Sequence, residues 1–359
     1  MKRIYFLLAL ALAVSCGRNK PEGRPVIALV REIITDTKMP EHGLVAGYDA
    51  MDSHKSIYVV GSPERCAPVL RSLLTCDDFD NADGRSVPDG LPDFAGEVVC
   101  TILDFANTPY GAFLDEGREE ALKEITVRTV LAAMDTLCYI NEYDKSGVAT
   151  KPQAKVVVLA SPYASAYGRF DVDSLFTALG CTLPVVCPLR VMLDDVLARS
   201  SSGAVVGVVT GKDALAGYSS YMDEKGPEGS DCVVLSADPS AADPLLAFLD
   251  SCLVAGKTRP FDAILVDDST VDADAMRTTL RRITMETNEE SLSYGKLIAP
   301  GCRILDVLST VDSECNRLLR RGNIFKHDIA YPRSIEFKTV ALSDGSFVLT
   351  QYDDGDPLQ

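Results

Sequence analysis

From residue 57 onward the chain alternates between two hydrophobic rhythms. Short β-branched runs, apolar at nearly every position, occupy 57–60, 98–103, 155–159, 183–187, 204–209, 232–235, 263–266 and 297–298. Between most of them lie longer stretches with apolar residues at helical spacing, at 67–74, 119–138, 173–179, 191–198, 244–253 and 273–282. Runs that stay apolar instead of alternating are what strands buried on both faces require. Strands alternating with helices predict a parallel sheet covered on both sides, so the expected fold class is α/β. The tail breaks this rhythm. Residues 334–340 and 347–352 flank Ser343-Asp344-Gly345 and predict an antiparallel hairpin turning at Asp-Gly.

The N-terminal stretch has a different grammar. Met1-Lys2-Arg3 precedes an apolar run over 4–14 and then Ser15-Cys16. A basic start, a short apolar run and a small-residue cleavage site predict a secretory signal. The run is too short for the ~20 residues of a spanning helix. Ala13-Val14-Ser15-Cys16 also matches the bacterial lipobox, whose cysteine becomes the lipidated new N-terminus; a plain signal peptide is the simpler alternative. The expectation is a protein anchored to a membrane through lipidation at Cys16, in the cell envelope and facing the periplasm. Residues 17–24 read as a polar tether. Residues 25–54 read as an irregular lead-in apart from the apolar stretch 26–30.

Charge narrows the partners. Removing Lys2 and Arg3 with the signal leaves 33 basic against 52 acidic residues, a net charge of −19. That balance repels phosphate backbones and argues against nucleic acid. The remaining length exceeds one ordinary domain and suits two lobes. Ten cysteines follow Cys16, without any Cys-x-x-Cys pair, and there are three histidines, so zinc spacing is absent. Neither a metal nor a cofactor is expected. Several cysteines sit in strand-like runs, where a thiol is a small buried hydrophobe. Export permits disulfides, and Cys66–Cys76 is a candidate by proximity in sequence. The acidic stretch 77–93 misses EF-hand ligand spacing and reads as a solvated loop. His327-Asp328 has no nucleophile beside it and reads as surface.

In such folds ligands sit where strands end and helices begin. Five junctions are rich in hydroxyls, carboxylates and small residues: Gly61-Ser62-Pro63, the stretch from Asp104 to Gly111, Ser161-Pro162-Tyr163-Ala164-Ser165, Thr210-Gly211-Lys212, and Asp267-Asp268-Ser269-Thr270. Helix capping alone accounts for Ser, Thr and Asp at such places. A lone Lys212 reads as solvated surface unless a ligand recruits it.

Taken in order, these junctions resemble glutamate racemase and its Asp/Glu racemase relatives. Strand 57–60 into Gly61-Ser62-Pro63 stands where the family has Asp-Ser-Gly. The stretch Asp104 to Pro109-Tyr110-Gly111 matches an Asp followed by Pro-Tyr-Gly before a long helix. Ala160-Ser161-Pro162-Tyr163-Ala164-Ser165-Ala166 matches the Ala-Cys-Asn-Thr-Ala-Ser-Ala string. Leu183-Pro184-Val185-Val186, Val206-Gly207-Val208-Val209-Thr210 and the Asp267–Thr270 junction follow the second half, and Leu297 to Gly301 its last strand. The match covers roughly 56–320 in order and spacing.

The resemblance implies two pseudo-symmetric parallel-sheet lobes around a cleft. The first is expected over 56–188 plus 302–320, the second over 189–301, with 325–359 as a C-terminal hairpin extension. It places the family's two catalytic thiols at Ser161 and Asp268. The family's opening Asp falls at Gly61 and its late His at Thr270. All four positions depart from the pattern. A hydroxyl is no base without an activating group, and Asp268 lacks an opposed partner, so two-base racemisation is not expected. What remains is a cleft lined by Ser62, Asp104, Asn107, Tyr110, Gly111, Tyr163, Ser165, Thr210, Lys212, Ser269 and Thr270. Hydroxyls and amides of this kind suit a small polar molecule with a carboxylate or several hydroxyls. The rival expectations are an isomerase using Asp268 as a single base, a new activity at Ser161, a scaffold with a vestigial cleft, and an ordinary solute-binding lobe pair.

Overall fold

The computed structural model describes residues 24–142, 147–200, 203–210, 215–236, 241–326, 330–343 and 346–352. Cys16, Lys212, His327-Asp328 and the Asp344-Gly345 turn lie outside the described residues. Among the described residues the first helices are α1 (Ala28–Thr35) and α2 (Pro40–Ala46), followed by β1 (Ser56–Gly61), α3 (Pro63–Thr75) and β2 (Val98–Leu103). Next come α4 (Gly111–Asp115), α5 (Glu119–Met134), β3 (Leu137–Tyr139), β4 (Val148–Thr150) and β5 (Ala154–Leu159). A π-helical turn, Ala164–Gly168, leads into α6 (Arg169–Leu179), β6 (Val185–Val186) and α7 (Pro188–Arg199). The second half holds β7 (Val205–Thr210), α8 (Leu215–Lys225), β8 (Asp231–Ser236), α9 (Pro244–Val254), β9 (Phe261–Asp267), α10 (Ala273–Met285), α11 (Glu289–Tyr294) and β10 (Ile298–Asp306). The chain closes with α12 (Val307–Gly322), β11 (Arg333–Ala341) and β12 (Phe347–Tyr352).

These elements build two sheets with the same wiring. The first runs β4-β3-β12-β11-β2-β1-β5-β6 and the second β10-β9-β7-β8. Within the parallel part of each, the first strand in sequence lies between the second and the third, and the fourth lies outermost. The order 2-1-3-4 therefore occurs twice, and it makes the two units pseudo-symmetric. Strands β1, β2, β5 and β7 are buried at every residue, as their continuous apolar runs demand. Each sheet carries an apolar cluster on either face, one pair for the first unit and one for the second.

Several expectations need correction. The lead-in at 25–54 is not irregular. Leu29, Val30 and Ile33 fall on one helical face of α1 and, with Val45 of α2, join the core of the first unit. Strand β10 runs to Asp306, so residues 302–306, expected with the first lobe, belong to the second sheet. The helix expected over 119–138 stops at Met134. Beyond it the Asp135 carboxylate accepts the backbone N–H of Thr136 and Leu137, which turns the chain into β3. All ten cysteines after Cys16 are free thiols. Cys66 and Cys76 lie ten residues apart along α3, about 15 Å of helix, far beyond disulfide reach.

The tail forms the expected hairpin, and it extends the first sheet. β11 pairs with β12 antiparallel and with β2 parallel, covering what would otherwise be an open edge. The acidic loop is stitched to itself. Asp93, buried, accepts from the N–H of Asp78 and Phe79, and Asp77 accepts from Asp89 and Gly90.

Candidate functional site: the junction of two switch points

A sheet ordered 2-1-3-4 changes winding direction between its first and third strands. Outside the carboxyl ends of those strands the chain leaves a crevice. In the first unit these are the ends of β1 and β5, at Gly61-Ser62 and Ser161. In the second they are the ends of β7 and β9, at Thr210 and Asp267. One side chain joins them. Arg65, in the first turn of α3, donates from Nη1 to the Asp267 carbonyl at 2.7 Å and to its carboxylate at 2.9 Å. Its Nη2 lies 3.4 Å from the Thr210 hydroxyl, which itself donates to Asp267 at 3.2 Å. The units also meet where α8 crosses the start of the π-helical turn; a Cβ on Gly217 would stand 3.1 Å from the Pro162 carbonyl oxygen.

Asp267 is sealed from solvent. Burial pushes its carboxyl above the ordinary range, and Arg65, Tyr218 and Thr210 oppose that push without reversing it. The buried Tyr218 phenol is driven up in turn, first by burial and then by the Asp267 charge. The sequence reading missed Arg65, Asp267 and Tyr218. A signal existed for Arg65. A cation in the first turn of a helix opposes the helix dipole and calls for a nearby anion.

At the end of β2, Asp104 is fully buried and saturated. It accepts from Asn107 Nδ2 at 2.8 Å, Tyr110 OH at 2.7 Å and Thr339 Oγ1 at 2.6 Å. The Tyr110 hydroxyl, held against that carboxylate and out of water, is pushed well up, by burial first and the Asp104 charge second. Gly111 faces Tyr163, whose ring and hydroxyl would lie 3.6 Å from a Cβ there. Asp104, Asn107 and Tyr110 thus form one network, with the Tyr163 ring against the adjoining Gly111.

The remaining predicted positions are simpler. Ser62 is buried and N-caps α3 without a side-chain capping bond. Ser161 is buried, and its Oγ lies 3.5 Å from the Ala164 N–H; Ser165 donates weakly, at 3.4 Å, to the Leu159 carbonyl. Of the described histidines, His42 bonds the Ile33 carbonyl and His54 lies in the loop before β1, so neither serves Ser161. Asp268 turns onto its own loop. One oxygen accepts from the Thr270 N–H at 2.9 Å and the Thr270 hydroxyl at 2.6 Å, while Ser269 and Thr270 are exposed. Two buried thiols flank the first switch point: Cys187 beside Ser165, and Cys66 beneath Gly61, pushed well above its usual range by burial and then by the Asp104 charge. Among the described residues no group of three or more His, Cys, Asp or Glu could hold a metal ion.

The fold and this junction define a two-unit α/β protein in which the carboxyl ends of two equivalently wired sheets meet, bridged by Arg65. No protein-family model and no curated protein matches the chain. Among solved structures it is similar to glutamate racemase isoform RacE1 from Bacillus anthracis, with 14% identity and a TM-score of 0.45 over 81% of this chain and 91% of that one. It is also similar to glutamate racemase from Francisella tularensis bound to D-glutamate, with 12% identity and a TM-score of 0.47 over 82% and 91%. Arylmalonate decarboxylase follows at 17% identity and a TM-score of 0.36, over 73% and 91%.

Proposed function

We propose that this chain is a lipid-anchored envelope protein of Asp/Glu racemase type that binds a small polar molecule between its two units and does not racemise it. One observation carries the reading: the ionisable groups at the strand ends already have partners, Arg65 and Asp267 each other, and Asp104 and Asp268 nearby donors. Racemisation needs two opposed groups that can take and return a weakly acidic Cα proton. Here Arg65 is paired with Asp267, Asp104 is saturated by three donors, and one oxygen of Asp268 is tied to Thr270. Among the described residues no base is hydrogen-bonded to Ser161, and burial pushes the Cys66 thiol well above its usual range. The hydroxyls of Ser62 and Ser161 remain. Those are donors for a ligand's oxygens.

A thermal-shift screen of amino acids, hydroxy acids and sugars tests the binding. A ligand at 100 times its Kd stabilises the folded protein by about 2.7 kcal/mol, and that stabilisation should vanish in Ser161→Val and Tyr110→Ala. Stabilisation that persists in both variants would place the ligand elsewhere. No stabilisation by any class would favour a scaffold role. The anchor has its own test. Incorporated palmitate should be lost in Cys16→Ser, and a wild-type protein that takes up no label has no such anchor.

A further inference from the structure

Resting on the anchor reading and not on the ligand, we infer that the outer face of the β3–β4 hairpin is a bilayer contact, which the tether from Cys16 brings to the membrane. The hairpin inverts the usual order of a sheet face. Its strands pair Leu137 with Thr150, Cys138 with Ala149 and Tyr139 with Val148. Cys138 and Ala149 pack into the core of the first unit, so Leu137, Tyr139 and Val148 share the opposite face. An antiparallel sheet with one solvated face carries polar residues there. Here Leu137 and Val148 are half exposed, and so is Ile140 just beyond β3. The hairpin also ends its sheet, with β4 as the outermost strand. Beside it opens a cavity of about 420 Å³, lined by apolar side chains of α2, α5, the hairpin and β12, with Glu41, Arg128 and Asp135 among them.

The length of the tether and the place where it ends name the bilayer as what covers this face. Eight Cα steps separate Cys16 from Arg24, the first described residue. They span at most about 26–29 Å. A folded chain of this length is roughly 50 Å across, so one particular side of the molecule is held to the membrane. Arg24 sets that side. Its guanidinium pairs with Glu119 at 3.4 Å and lies 5.5 Å from the centre of the Phe170 ring, both in the first unit. Glu119 opens α5, and α5 ends at Met134, three residues before the hairpin and about 22 Å further along. The tether therefore reaches as far as the hairpin. Aliphatic side chains flanked by a tyrosine are also what the boundary between headgroups and acyl chains takes up. Val254, Met285 and Leu292 are exposed apolar side chains too, but they lie on α9, α10 and α11 of the second unit, while Arg24 docks on the first.

The chain contains no tryptophan, so a single introduced indole reports its surroundings without background. Val148→Trp, Ile140→Trp and Leu292→Trp are each made in the full chain and reconstituted in vesicles of phosphatidylethanolamine and phosphatidylglycerol, with and without lipids brominated along the acyl chain. Emission from Val148→Trp and Ile140→Trp should shift to the blue on reconstitution and lose roughly half its intensity or more to the brominated lipid. Emission from Leu292→Trp should change in neither way. Two hairpin positions keep the test alive should one variant fail to fold. Palmitate incorporation, measured on the same preparations, reads the anchor separately. A labelled chain whose hairpin variants are not quenched would overturn this inference and leave the anchor reading standing. Quenching of Leu292→Trp as strong as that of the hairpin variants would overturn it as well. An unlabelled chain without quenching would remove both readings, whereas an unlabelled chain with quenched hairpin variants would remove the anchor alone and uphold the contact.

Discussion

Asp104 and Asp312 show how differently two buried carboxylates are treated in one molecule. Asp104 has three donors. Asp312, on α12 against α3, is 3% exposed; it receives the Ser72 hydroxyl on one oxygen and has no partner for the other among the described residues. Burial raises its pKa to about 7, with Asp78, Asp306 and Asp93 adding to the rise and Ser72 opposing it. The folded state therefore binds this proton more tightly than the unfolded chain does, between roughly pH 4 and 7. Stability falls as pH rises through that window and stays low above it. Asp312→Asn should remove that loss and raise the free energy of urea unfolding at pH 8 by on the order of 2–4 kcal/mol. A variant with wild-type pH dependence would show that Asp312 titrates alike in the folded and the unfolded chain. At this scale the sequence was only partly legible. It marked Asp104, Asn107 and Tyr110 as a set but not their enclosure, because the third donor, Thr339, lies 235 residues away. It pointed to Asp268 over Asp267, because a junction shows two adjacent acids and not which one ends inside the strand.

The elements were easier to anticipate wherever burial imposed a pattern. Fully apolar strands and amphipathic helices announced both sheets, and Asp-Gly announced the hairpin. Helices α1 and α2 were missed because each is short, eight and seven residues; both are held by packing on the first sheet and not by propensity. Nothing local said that the hairpin would join β2, since pairing of β11 depends on an edge left open by residues more than two hundred positions earlier. That pairing has a consequence at the site. The Thr339 hydroxyl donates to Asp104 and accepts from the Ala106 N–H at 3.0 Å, so the hairpin braces the loop after β2. Thr339→Val keeps the shape and removes both bonds, which should cost about 1–3 kcal/mol in urea unfolding. A change under ~0.5 kcal/mol would mean that the hairpin covers an edge and does nothing for the loop.

Across the whole molecule, the repeated 2-1-3-4 order directs the two switch points at each other, and Arg65 bridges them. The ordered junctions in the sequence implied such a facing arrangement through resemblance. They could not show that a charge pair spans it, because contact between positions 65 and 267 is a product of how the two units dock. The account turns on a cleft that receives a small polar molecule without exchanging its Cα proton. Ligand-observed NMR in D2O, with D- and L-glutamate, D- and L-aspartate, D-lactate and glucose, reports binding and exchange in one sample. The account predicts saturation transfer to at least one of these compounds, with its Cα–H signal undiminished after prolonged incubation. Loss of a Cα–H signal to deuterium, or saturation transfer to none of them, would contradict it.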